Sequence, residues 1–264
     1  MNRKCAWIMA AVLLAQICYA QTPPAGILSE VGVDPKPGAM LPLDASFRNE
    51  SGEPVRLGDY FRGKPVVLVP VYYECPMLCS LILNGFTKAL RAMPYTAGRE
   101  FEIVTFSFDP KEKTETAAEK RRSYLAEYGR PEAAAGWTFL TGDENSIGAV
   151  TAAMGYKFAY DHKTNQWAHA SAIVVASPEG RISQYLYGIE FSARDLRLSL
   201  VTAGENKIGS LLDRVFLYCY HYDPETGKYG FVIMNVLRAA GIATVAALAL
   251  LIVAGVRKGR RSEL

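Results

Sequence analysis

Two hydrophobic periods alternate along this chain, and the switches between them mark its elements. Pro65–Tyr73 is a near-continuous apolar run, the pattern of a strand buried on both faces. Leu78, Leu81, Ile82, Phe86, Ala89 and Leu90 then recur at helical spacing. Phe101–Phe108 predicts a second buried strand, ended by Asp109-Pro110. Thr114–Tyr128 is charged and predicts a helix closed by Gly129 and Pro131. Trp137–Leu140 predicts a short strand and Glu144–Met154 a helix. Tyr156–Tyr160 and Trp167–Ala176 predict strands around the turn Asp161–Asn165. Ser177-Pro178-Glu179-Gly180 is a tight turn into Arg181–Tyr187, which predicts a hairpin, and Ser192–Ala203 predicts the last helix. Upstream, Asp44–Leu57 alternates about Asn49–Gly52 as a small hairpin, and Leu57–Phe61 reads as a helical turn. Residues 21–43 are rich in Pro and Gly and read as an extended linker.

The order βαβα, then βα, then a hairpin and a helix, predicts a mixed sheet with helices on both faces. A cysteine pair follows the first central strand, at Cys75 and Cys79. That position selects a thioredoxin-like α/β fold for residues 44–205. The pair has three intervening residues where the usual redox motif has two. Either spacing can close a disulfide from a first helical turn; the wider one also leaves room for a metal ion.

The two ends of the chain read differently from its middle. Arg3 and Lys4 precede an apolar stretch, Cys5–Ile17, that is short for a bilayer span, and Cys18-Tyr19-Ala20 resembles a cleavage site before Gln21. Residues 1–20 are therefore read as a secretory signal, with an uncleaved anchor helix as the alternative. Ala239–Val256 is an unbroken apolar run of 18 residues. At 1.5 Å per residue it reaches roughly 27 Å, close to the hydrocarbon core of a bilayer. Arg257, Lys258, Arg260 and Arg261 follow it, which the positive-inside rule assigns to the cytoplasm. The expected layout is a juxtamembrane segment at 206–238, a C-terminal transmembrane helix at 239–256 and a basic tail at 257–264. The domain would then face the periplasm or an equivalent extracytoplasmic space, membrane-anchored in a bacterial inner membrane.

Charge and cysteine usage narrow the function. The net charge is +3, and the two ends carry more than all of it, so the remainder is slightly acidic and presents no nucleic-acid surface. Signal cleavage would leave Cys75, Cys79 and Cys219 in an oxidising compartment. Residues four apart share one face of a helix, and a helix N-terminus favours thiolate, the form that binds metal and attacks disulfides. Pro76 suits a first helical turn. Two thiolates are a good start for Cu(I), which takes soft ligands in low coordination number. Three histidines are available as a third ligand. His162 lies in a solvated turn and His221 outside the folded pattern. His169 enters a strand, and in a thioredoxin-like fold the loop before such a strand faces the cysteine helix, so His169 is the candidate.

Cys75 and Cys79 after an apolar strand, Phe106–Pro110 (FSFDP) and the distant His169 resemble the Sco/SenC family of thioredoxin-like copper proteins. The resemblance covers about Gly38–Ala203. It implies copper, Cu(I) or Cu(II), on Cys75, Cys79 and His169. It also implies a role in assembling the Cu-A centre of cytochrome c oxidase subunit II, or of another cuproprotein. Two functions follow as expectations: a copper metallochaperone, or a thiol–disulfide reductase that keeps the subunit's cysteines reduced through Cys75 and Cys79. A peroxiredoxin-type peroxidase is a third. The chain departs from the family pattern at Ser80, where Pro is usual. It does so again at Lys113, where an acidic residue follows the Asp-Pro turn, and at Ala168, where Asp precedes the histidine. The family anchor is more often N-terminal.

Leu217–Gly230 holds Cys219 and His221, two residues apart and on one side of an extended segment, with Tyr218, Tyr220 and Tyr222 on the other. An interfacial linker is the expected reading, since two ligands alone hold copper weakly and tyrosines suit a membrane interface. A second copper half-site is the alternative.

Overall fold

The computed structural model describes residues 27–75, 78–207, 222–223, 228–229 and 238–249, the last without 243 and 247. Two compact units divide the chain, Met1–Ile208 and Gly209–Leu264.

In the first unit the strands are β1 (Gly32–Val33), β2 (Ser46–Arg48), β3 (Pro54–Arg56), β4 (Val66–Val71), β5 (Glu102–Ser107), β6 (Trp137–Gly142), β7 (Tyr156–Asp161), β8 (Gln166–His169), β9 (Ala172–Ala176) and β10 (Ile182–Tyr187). The helices are α1 (Leu78–Ala92), α2 (Thr114–Tyr128), α3 (Glu144–Met154) and α4 (Ala193–Gly204). Every residue of β4 and β5 is buried, as strands covered on both faces require, and β5 buries Glu102, Thr105 and Ser107 along with its apolar residues. They pair in parallel from Val66↔Glu102 to Val71↔Ser107, and β5 pairs in parallel with β6. On the other side β9 runs antiparallel to β4, and β10 forms a hairpin with β9. The β2–β3 hairpin extends the far edge, giving the order β10-β9-β4-β5-β6-β2-β3. This is the expected thioredoxin-like mixed sheet with flanking helices. Helix α1 packs against both α2 and α4.

Local chemistry fixes the helix ends. Gly129 stops α2 in a left-handed conformation at φ 70°, and its N–H reaches Leu125 O. The Asp143 side chain caps α3 by accepting the Ser146 N–H at 2.8 Å. Gly155 ends that helix at φ 63°, where a Cβ would also lie 1.8 Å from the Asp34 carbonyl oxygen.

Two segments differ from their sequence reading. Trp167–Ala176 is not one strand: β8 pairs with β7 in a small β1-β7-β8 sheet, whereas β9 belongs to the central sheet. The break falls at Ala170 and Ser171, whose carbonyls accept side-chain and loop donors, with Gly188 N–H on Ser171 O at 2.9 Å. Residues 32–43, read as linker, are tied into the domain. Gly32 and Val33 pair with β7, Met40 bridges Arg181, and Leu41 is buried. Their Pro and Gly content hides any side-chain period, but backbone pairing does not need one.

In the second unit, β11 (Tyr222–Asp223) and β12 (Lys228–Tyr229) form an antiparallel ladder, and the described residues of 238–249 are helical. Among the described residues, no helix is long and apolar enough to cross a membrane. The expected span Ala239–Val256 runs beyond them, and residues 1–20, Cys219 and His221 lie outside them.

Candidate metal centre

Strand β4 delivers the chain to one corner of the domain. After Val71 the backbone turns, with Cys75 N–H closing on Tyr72 O at 3.3 Å, and α1 runs from Leu78. Pro76 and Met77 lie outside the described residues. Cys75 thus sits in the turn that precedes the described helix, and Cys79 on its first turn. The β7–β8 hairpin brings in His169 as the last residue of β8, paired across to Phe158. The donor atoms of Cys75, Cys79 and His169 all lie within 4.8 Å of one another. All three residues are buried, at 9%, 2% and 8% exposure. The expected trio is therefore brought together. His162 is exposed in the hairpin turn, against Tyr160, and belongs to no such group among the described residues.

Hydrogen bonds set the state of each donor. Cys79 Sγ accepts the Tyr72 N–H at 3.3 Å, and Cys75 Sγ accepts the Cys79 N–H at 3.3 Å. On the far side of the imidazole, Nδ1 lies 2.9 Å from Ala170 O and 3.0 Å from the Tyr156 hydroxyl. A carbonyl can only accept, so Nδ1 carries the proton. The Tyr156 O–H donates to the same carbonyl at 2.6 Å, which leaves its oxygen to accept from Nδ1. This network assigns the lone pair to Nε2, 3.1 Å from Cys79 Sγ.

The helix mouth does not lower the Cys79 thiol as expected. Burial pushes its pKa well above the ordinary value, and the neighbouring Cys75 pushes the same way; the Tyr72 N–H opposes both and is outweighed. In a site this dry, desolvation exceeds the partial charge of a helix end. A bound cation would reverse that balance, since a coordinated thiol is deprotonated outright.

Three supporting residues are not evident from the sequence. Glu112 grips the cysteine turn: its carboxylate accepts Tyr73 N–H at 2.7 Å, Glu74 N–H at 2.6 Å and the Ser107 hydroxyl. Burial raises its pKa against these three donors. Thus an acidic residue does follow the Asp-Pro turn, one position before Lys113. Tyr156 orients His169 in a chain that has Ala168 rather than Asp before the histidine. Trp167 Nε1 donates to Asp109 Oδ2 at 2.9 Å and so ties β8 to the Asp-Pro turn. Around the donors the walls are aromatic, with Phe108 5.1 Å and Tyr72 6.1 Å from the imidazole, centroid to centroid. Only the position of the two cysteines and of FSFDP next to them hinted at this shell.

The SCO1/SenC family profile matches residues 41–200. Among solved structures, a protein from Aquifex aeolicus VF5 described as a candidate electron transfer protein is 25% identical, with a TM-score of 0.58 over 65% of this chain and 96% of that one. A SCO1/SenC family lipoprotein from Bacillus anthracis str. Ames is 18% identical, with a TM-score of 0.51 over 64% and 97%. BsSco, described as a member of the Sco family of cytochrome c oxidase assembly proteins, is 19% identical, with a TM-score of 0.51 over 66% and 99%. The last two show a shared fold. No curated protein matches in sequence. The family match, residues 41–200, takes in more than half of the chain and both halves of the buried cysteine–histidine cluster, and on that ground this chain belongs to the SCO1/SenC family.

Proposed function

We propose that this chain is a copper metallochaperone for assembly of the Cu-A centre of cytochrome c oxidase. Copper is its cargo, held by Cys75, Cys79 and His169. The observation that carries the reading is the buried trio of donor atoms within 4.8 Å. Two sulfurs and one imidazole nitrogen are soft donors in the number Cu(I) prefers. A structural zinc site takes four ligands, and among the described residues the group supplies three. The chain's own contribution is to bind through two thiolates and Nε2, to fix the imidazole through Tyr156, and to exclude water with Phe108 and Tyr72. Transfer needs only ligand exchange: an acceptor thiolate replaces one donor at a time.

Membrane anchoring through residues 239–256, with the domain in the periplasm, belongs to the same proposal. It is supported by the apolar run, the basic tail and the signal-like start.

A second reading rests on the same two sulfurs, which are thiols and not a disulfide. One thiolate would attack an acceptor disulfide and displace its second sulfur. The other would then break the mixed disulfide. The acceptor leaves as a dithiol and Cys75–Cys79 becomes the disulfide. Copper stoichiometry separates the two readings. Reduced protein dialysed against Cu(I) with a competing chelator should retain one copper per chain. Cys75→Ser and Cys79→Ser should retain none, because one thiolate cannot compete with the chelator. A wild type that retains none would leave only the reductase.

A further inference from the structure

One carboxylate holds the turn that carries Cys75. Glu112 Oε2 accepts the Tyr73 N–H at 2.7 Å and Oε1 accepts the Glu74 N–H at 2.6 Å, from the two residues directly before Cys75. The Ser107 hydroxyl, at the end of β5, donates to Oε2 at 2.5 Å. Glu112 is itself fixed, because its own N–H reaches Asp109 O at 3.2 Å in the Asp-Pro turn. Glu74 is exposed, so water can serve its N–H; the carboxylate sets where this backbone lies and does not merely satisfy a buried donor. Only a carboxylate fits the pair of N–H groups. Both of its oxygens accept, whereas an amide would turn an NH2 toward one of the two donors.

We propose that Glu112 is a positioning residue that biases the cysteine pair toward a metal ion and against its own disulfide. The inference rests on the copper reading given above. A metal–thiolate bond is about 2.3 Å, so two sulfurs that share one ion stay up to about 4.6 Å apart. A disulfide brings them to about 2.05 Å. The donor atoms of the trio already lie within 4.8 Å of one another, with both sulfurs as thiols. Cys79 is buried on the first turn of α1, so closure has to draw Cys75 toward the helix. Tyr73 and Glu74 are the backbone that follows it, and theirs are the N–H groups that Glu112 holds. Stretching two hydrogen bonds to a charged group opposes that movement. Copper entry leaves them in place, and a donor held in its bound position binds more tightly. One clamp thus favours the metal and disfavours the disulfide.

The test uses the full-length chain as wild type, Glu112→Gln, Ser107→Ala and Glu102→Gln, with circular dichroism to check folding. Glu102 is a second buried carboxylate, 3.3 Å from Lys64 Nζ at the opposite end of β5, and controls for lost stability. Cu(I) affinity is measured against a chelator. Separately, the metal-free chain is equilibrated with glutathione, and the Cys75–Cys79 peptide is read by mass spectrometry. There the dithiol is oxidised to the disulfide while one glutathione disulfide is reduced to two thiols. A hydrogen bond to a charged group is worth enough to change an equilibrium about tenfold. Glu112→Gln should therefore weaken Cu(I) binding about tenfold and make the cysteine couple about 30 mV more negative. Ser107→Ala loosens the carboxylate from behind and should move both readouts the same way by a smaller factor. Glu102→Gln should move neither. An unshifted potential in Glu112→Gln would overturn the proposal and leave the copper reading standing. So would an equal shift in Glu102→Gln, which would mark a general loss of stability. Should Glu112→Gln not fold, Ser107→Ala decides, and an unchanged potential there overturns the proposal. A wild type that takes up no copper would sink the copper reading and the bias with it.

Discussion

His169 is fixed at Nδ1 and meets Cys79 Sγ through Nε2 at 3.1 Å. Ala170 O and the Tyr156 hydroxyl occupy Nδ1, and Nε2 is left facing Cys79 Sγ. A ligand held this way pays little to adopt its bound orientation. Cys79 stands differently: burial pushes its thiol pKa up, and a metal that took this sulfur as a thiolate would have to displace its proton. Tyr156→Phe keeps the ring and the Ala170 carbonyl and removes only the hydroxyl that braces Nδ1. Loss of such an outer partner costs a metal site about 10–100-fold in affinity. The lower end, about tenfold, is expected here, because Ala170 O remains. Competition against a Cu(I) chelator measures it, and an unchanged affinity would show that Tyr156 does not orient the ligand.

At the scale of elements, β4 and β5 were legible from burial on both faces and α1 from helical periodicity, whereas α2 was legible from its charge and its Gly-Pro stop. The stop at Gly129 and the turn before Arg181 were legible through Gly and Pro. The division between β8 and β9 was not. WAHASAIVV contains no breaker, and what interrupts it is a set of hydrogen bonds from Tyr156 and Gly188, which come from other strands and loops. The same holds for β1, which pairs with β7 over only two residues, Gly32 and Val33. In the site, Cys75 and Cys79 were evident from spacing, and His169 from its place at a strand and from family resemblance. Glu112 was not, because nothing in a sequence tells which backbone N–H groups a carboxylate will reach. A close approach also went unread: a Cβ on Gly85 of α1 would lie 1.8 Å from Ile189 O, so this glycine lets the cysteine helix press against the loop before α4.

The whole molecule joins one globular metal-binding unit to a C-terminal segment. For the proposed anchor the placement of charge is decisive: basic residues gather after the apolar run. A reporter active only in the cytoplasm, fused after Leu264, should report activity, and a silent fusion beside an active periplasmic one would contradict this topology. The central claim is that one copper ion sits on two sulfurs and one imidazole nitrogen. The most direct measurement is X-ray absorption at the copper edge on the reduced, copper-loaded chain, recorded for wild type and His169→Ala. The account expects one copper per chain, with two sulfur neighbours and one nitrogen from an imidazole, and loss of the imidazole signal in His169→Ala. A sulfur-only first shell in the wild type, or identical spectra from the two proteins, would contradict it.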